Sequence, residues 1–127
     1  MKIAIVGKRK VEFSKRRFIR LMDNALRLFL DRYENEIEIL TGCAGGVDKY
    51  ARFYAKLKGY PLKVYDADWD KYGLAAGPIR NDEMLREADG VIAVWDGKSK
   101  GTADSVERAH RRGIPLVIIS MKLAGLA

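Results

Sequence analysis

A three-layer α/β sandwich built on one parallel sheet is the fold class that the sequence predicts, and three observations predict it. Short apolar runs rich in Ile and Val alternate with longer segments of helical spacing along the whole chain. Those runs are apolar at successive positions, as strands covered on both faces are. The 127 residues, 48% of them hydrophobic, amount to one domain able to bury about two thirds of its unfolded surface.

Lys2–Val6 is apolar and ends at Gly7, and reads as the first buried strand. Phe13–Leu30 follows as a helix, with Phe18, Leu21, Met22, Ala25, Leu26, Phe29 and Leu30 at helical spacing and Ser14 as its cap. Ile37–Leu40 is the second strand, and it runs into the glycine-rich turn Thr41–Asp48. Asp48–Gly59 is a helix stopped by Gly59 and Pro61. Leu62–Tyr65 is the third strand, and Asp66–Gly77 is a longer loop. Pro78 suits the first turn of a helix running to about Ala88. Val91–Trp95 is the fourth strand, and the turn Asp96–Thr102 opens a helix to Arg112. Gly113 ends that helix, Pro115–Ser120 is the fifth strand, and Met121–Ala127 is a tail. Right-handed crossovers then give a Rossmann-like, doubly wound sheet of order 3-2-1-4-5, a single domain over 1–127.

Composition narrows the function classes. The apolar content excludes intrinsic disorder, and no apolar run approaches the ~20 residues of a membrane span. Met1–Val6 meets Lys8, Arg9 and Lys10 with no secretory pattern, so a cytoplasmic protein is expected. The single cysteine, Cys43, and single histidine, His110, exclude an internal disulfide and the usual zinc sites. Residues 1–20 hold eight of the 24 basic side chains and one of the 17 acidic ones, so the net charge of +7 resides wholly there. Such a local field attracts phosphate, on a small nucleotide or on nucleic acid. The lack of glutamine and the 32% of charged residues hint at a thermophilic source.

Ligands of such sheets bind beyond the carboxyl ends of the strands, where the strand order reverses. The loops there are Gly7-Lys8-Arg9, Gly42–Gly46, Asp66–Gly77, and Trp95–Thr102. Glycines let backbone approach a phosphate or ribose, and the helices after Gly46 and Gly101 present open N–H groups. Neither the G-x-G-x-x-G nor the P-loop pattern is present, and each glycine pair alone reads equally well as a tight turn.

The chain resembles the YspA/YpsA-related SLOG family over about residues 1–119. Gly7-Lys8-Arg9, the turn Thr41–Asp48, the stretch Trp69–Asn81 and the run Trp95–Thr102 carry the resemblance, the third most specifically. It implies a Rossmann-like domain that binds a nucleotide or nucleotide-derived ligand, often in a self-associating protein. The wider superfamily holds the LONELY GUY phosphoribohydrolases and the DNA-processing protein A family. The sequence departs at Lys8 and Cys43, where serine and glycine are frequent. It also has Ser105 where the phosphoribohydrolases have their catalytic glutamate. Glu107 lies two residues further, about 200° around the helix.

The chemistry of the side chains assigns candidate roles. Arg9 can pair a phosphate in a fork, and Arg80 can clamp one while Asn81 bonds ribose or base; Arg80 and Asn81 can equally pin the preceding loop. Trp69, Tyr72 and Trp95 can stack on a base or belong to the core. Asp48 and Asp96 can bond ribose hydroxyls or serve their own turns. Ser99, Gly101 and Thr102 form a phosphate nest. Gly7, Lys8, Gly42, Cys43, Gly45 and Gly46 complete the candidate rim. No catalytic residue is assigned: a Cys43 nucleophile has no base, because His110 lies at the far end of another helix, where it suits the helix terminus. Asp66, Asp68 and Asp70 lack the rest of an EF-hand pattern, so no resident metal is expected, and a divalent ion would arrive only with a bound phosphate. Nucleotide binding is the leading expectation. Hydrolysis of an N-glycosidic or phosphoester bond is the second, and nucleic-acid binding through the basic N-terminal cluster the third.

Overall fold

A computed structural model describes residues 1–30 and 36–120. The strands are β1 (Lys2–Gly7), β2 (Glu38–Gly42), β3 (Leu62–Tyr65), β4 (Gly90–Trp95) and β5 (Leu116–Ser120). The helices are α1 (Lys15–Leu30), α2 (Val47–Lys58), α3 (Trp69–Tyr72), α4 (Ala76–Glu87) and α5 (Lys100–Arg111). All strand pairs are parallel and the order is β3-β2-β1-β4-β5, as predicted. β1 and β4 are interior strands, covered on both faces, which is why Ile3–Val6 and Val91–Trp95 are apolar at every position.

One face of the sheet presents Ile3, Ile5, Ile39, Ile92 and Val94 to α1 and α2. The other presents Ala4, Val6, Leu40, Val91 and Ala93 to Met84 and Leu85 of α4 and Ala109 of α5. Within α1, Phe18, Met22, Ala25, Leu26 and Phe29 are buried, the stripe that the periodicity predicts. The Ser14 hydroxyl accepts the Arg17 amide at 3.2 Å, so α1 is capped by Ser14 and begins at Lys15 rather than Phe13. β4 starts at Gly90, one residue before the predicted Val91, and a Cβ at Gly90 would meet the Phe29 ring at 2.5 Å.

The segment expected as one loop, Asp66–Gly77, instead folds into α3 and a 3-10 turn (Gly73–Ala75) that leads directly into α4. The Asp68 carboxylate caps α3 by accepting the Lys71 amide at 3.1 Å. Pro78 therefore sits third in its helix. Likewise α5 begins at Lys100, so Gly101 and Thr102 belong to its first turn rather than to the preceding loop. The predicted tail, Met121–Ala127, lies outside the described residues. Among the described residues no helix is long and apolar enough to cross a membrane.

Candidate functional site

Beyond the carboxyl ends of β1 and β4 lies a hollow of about 880 Å³, a size typical of small-molecule sites. The loop after β1 supplies Gly7–Lys10, β2 supplies Gly42, α3 supplies Trp69, α4 supplies Arg80 and Asn81, and the start of α5 supplies Ser99–Thr102. A shallower lobe of about 390 Å³ shares Arg9, Ala44, Trp69 and Arg80 with it and adds Cys43 and Gly45. Where the lobes meet, the Arg9 guanidinium stands 5.9 Å from the centre of the Trp69 ring.

The turn after β4 is built by Asp96. Its Oδ1 accepts the amides of Lys98 and Ser99, both at 2.8 Å, and its Oδ2 pairs with Lys8 Nζ at 3.3 Å. These bonds, the Ser99 amide foremost, hold the Asp96 carboxyl at about 2. The Trp95 indole N–H donates to the Ser99 carbonyl at 3.1 Å, which fixes the turn from behind. With the Lys98 and Ser99 amides engaged, the first-turn amides of Lys100, Gly101 and Thr102 remain as donors with no partner inside the helix, on residues that line the hollow. The Thr102 and Ser99 hydroxyls lie 3.3 Å apart beside them.

On the opposite wall Arg80 is held in place. Its Nε donates to Asn81 Oδ1 at 3.1 Å and its Nη1 to the Tyr65 carbonyl at 3.5 Å. Asn81 is buried, and its amide donates to Asp104 at 3.4 Å, which ties α4 to α5. Asp48, 8% exposed, lies beneath. Burial pushes its carboxyl above the ordinary carboxylate value despite Arg80 and the Thr41 hydroxyl beside it. A Cβ on Gly42 would lie 2.5 Å from both Arg80 Nη1 and Asp48 Oδ2, so glycine is what lets these two groups close over β2.

The loop after β1 rests on the start of α2. The Val47 amide donates to the Lys8 carbonyl at 3.0 Å, and Gly46, at φ +65°, lies so close that a Cβ would fall 2.2 Å from the Arg9 carbonyl oxygen. Gly46 thus supports the loop that carries Arg9 and does not line either lobe. The first amide of α2, that of Val47, is thus engaged by the loop backbone.

The structure brings together Gly7, Lys8, Arg9, Gly42, Asp48, Trp69, Arg80, Asn81, Asp96, Ser99, Gly101 and Thr102 around the larger lobe, with Cys43 and Gly45 on the smaller. Three candidates fall outside: Gly46, Tyr72 and Trp95. Tyr72 points away, 42% exposed, with Lys71 Nζ over its ring. The Trp95 indole is committed to Ser99. Lys10, Lys98, Lys100, Leu74, Asp104 and Ser105 also line the larger lobe and were not among the candidates. The turn Asp96–Thr102 already contained Lys98 and Lys100, but nothing in the sequence signals that Asp104 reaches Asn81. Ser105 donates to the Gly101 carbonyl at 3.3 Å, while the Glu107 side chain is 69% exposed. Among the described residues no three His, Cys, Asp or Glu side chains converge as metal ligands.

Strand order and the position of the hollow define a doubly wound, Rossmann-like α/β protein with a basic cleft at its topological switch point. No protein-family model matches the chain. Over 100 residues it is 33% identical to the Gene 61 protein of Mycobacterium phage D29, an alignment that spans 74% of this chain and 80% of the phage protein. The chain belongs to the family of that phage protein.

Proposed function

We propose that the hollow binds a nucleotide or nucleotide-derived ligand by its phosphate, in a cytoplasmic sensor or metabolite-handling domain. The observation that carries this reading is the convergence of the α5 amides of Lys100–Thr102, the held guanidinium of Arg80 and the half-exposed Trp69 ring on one cavity. A phosphate would seat on the amides, Arg80 and Arg9 would neutralise its charge, and the base would lie against Trp69. The resemblance to SLOG proteins favours the same reading. A thermal-shift panel of nucleotides, run at low and high salt, tests it. A ligand at about 100 times its Kd adds about 2.7 kcal/mol, or roughly 8–13 °C for a domain of this size. No shift with any nucleotide would remove the reading.

A second reading, hydrolysis of such a ligand, draws on Asp48, a buried carboxyl on the cavity wall with a raised pKa. Product formation in the same samples, abolished by Asp48→Asn, would move the protein from binder to enzyme.

A further inference from the structure

Asp104 puts a carboxylate on the wall of a mainly basic cavity, where it opposes any anion that enters. The joint between α4 and α5 does not need it there. Arg108 and Arg112, at the far end of α5, already bond Asp82 of α4 at 3.3 and 2.6 Å. A residue that works against its surroundings without a folding gain is where function is expected.

Its contacts show what it does. Arg108 Nε donates to Asp104 Oδ2 at 2.8 Å, which fixes the carboxylate, and Asn81 Nδ2 donates to the same oxygen at 3.4 Å. On its other side the Asn81 amide meets Arg80 Nε. Asn81 is buried, so its amide must find its partners within the protein. It stands between a carboxylate, which only accepts, and a guanidinium, which only donates. One orientation of the amide satisfies both neighbours. The flipped one would set its oxygen against the carboxylate and its N–H groups against the guanidinium. The second bond that holds Arg80, from Nη1 to the Tyr65 carbonyl, is the longer at 3.5 Å, and Nη2 has no partner among the described residues.

On the phosphate-binding reading of the cavity, we propose that Asp104 is a positioning residue: by setting the direction of the Asn81 amide it holds the Arg80 guanidinium ready for the ligand. Arg108 braces it from behind, so the line runs from Arg108 through Asp104 and Asn81 to Arg80.

The test is a calorimetric titration with the four common ribonucleoside 5′-monophosphates, the tightest binder being carried through the variants. Asp104→Ala removes both the charge and the acceptor, whereas Asp104→Asn removes the charge and keeps an acceptor oxygen. If charge alone mattered, both variants would bind the nucleotide more tightly than the native protein. The expected result is different in sign. Asp104→Ala should bind roughly three- to tenfold more weakly, the worth of one ordinary hydrogen bond, and Asp104→Asn at least as well as the native protein. In an Arg80→Ala background the loss from Asp104→Ala should vanish. Asp104→Leu takes the place of Asp104→Ala should the latter fail to fold. Native or tighter binding by Asp104→Ala overturns the inference and leaves the nucleotide site standing. A loss that persists without Arg80, or one that Asp104→Asn shares, overturns it too. Binding of none of the four nucleotides to the native protein overturns both.

Discussion

Asn81 Oδ1 accepts the Arg80 Nε proton at 3.1 Å, so a residue that itself carries no charge fixes the direction of a guanidinium in the cavity wall. The consequence is measurable. Arg80→Ala should weaken nucleotide binding by the value of a hydrogen bond to a charged group, about 1.5–3 kcal/mol, or roughly 10- to 150-fold in Kd. Asn81→Ala should lose part of that, and the double variant should be no worse than Arg80→Ala alone. Titration calorimetry on the four proteins checks this; additive losses would show that Asn81 acts on the ligand directly.

Adjacent glycines should respond in opposite ways. Gly46→Ala must hold a side chain at φ +65° and force its Cβ against the Arg9 and Lys8 carbonyls. The strain and overpacking together should destabilise by about 3 kcal/mol or more. Gly45→Ala meets only the Arg9 carbonyl oxygen at 3.6 Å and should be nearly neutral. Urea unfolding of the two variants decides it.

Asp96 should make the fold acid-sensitive. Its carboxyl is held at about 2 against an ordinary 3.8, so the folded state favours the ionised form. The resulting stabilisation is complete above about pH 4 and is lost as the pH falls through 2. Asp96→Asn should remove this part of the acid limb, read as unfolding free energy against pH.

Asp48 should behave in the reverse sense. Burial raises its pKa, so the fold favours the neutral carboxyl, and the associated stability is present at low pH and lost as the pH rises through the folded value. The Thr41 hydroxyl lies 2.9 Å from the Ile5 carbonyl and 3.3 Å from Asp48 Oδ1, and its one proton cannot serve both. Asp48→Asn should therefore gain stability relative to the native protein as the pH rises above about 4, the ordinary carboxylate value. A constant difference between the two would refute a raised Asp48.

The strand order and the rim were legible because they follow from periodicity and topology: apolar runs gave the five strands, and parallel order sends every loop that follows a strand to one edge. What was not legible depends on directions that only packing sets. Trp95 reads as either a stacking or a core residue until its indole is seen bonded to Ser99. Gly46 reads equally well as a tight turn or a ligand cradle until its neighbour is seen to be the Arg9 backbone. The helix α3 is too short to leave a periodic signal, so Asp66–Gly77 reads as loop, and the turn it makes sends Trp69 inward and Tyr72 outward. Asn81 reads equally well as a ligand or a structural residue; it lines the hollow while bonding Arg80 and Asp104, contacts that no local pattern shows.

The chain has two tryptophans, and both are wired to the cleft: Trp69 lies under the Arg9 guanidinium, and Trp95 is bonded to the turn that opens α5. Anything that draws Arg9 away or shifts that turn must alter the surroundings of an indole. Emission of the unlabelled protein, excited at the red edge where its six tyrosines do not absorb, therefore carries a built-in occupancy signal.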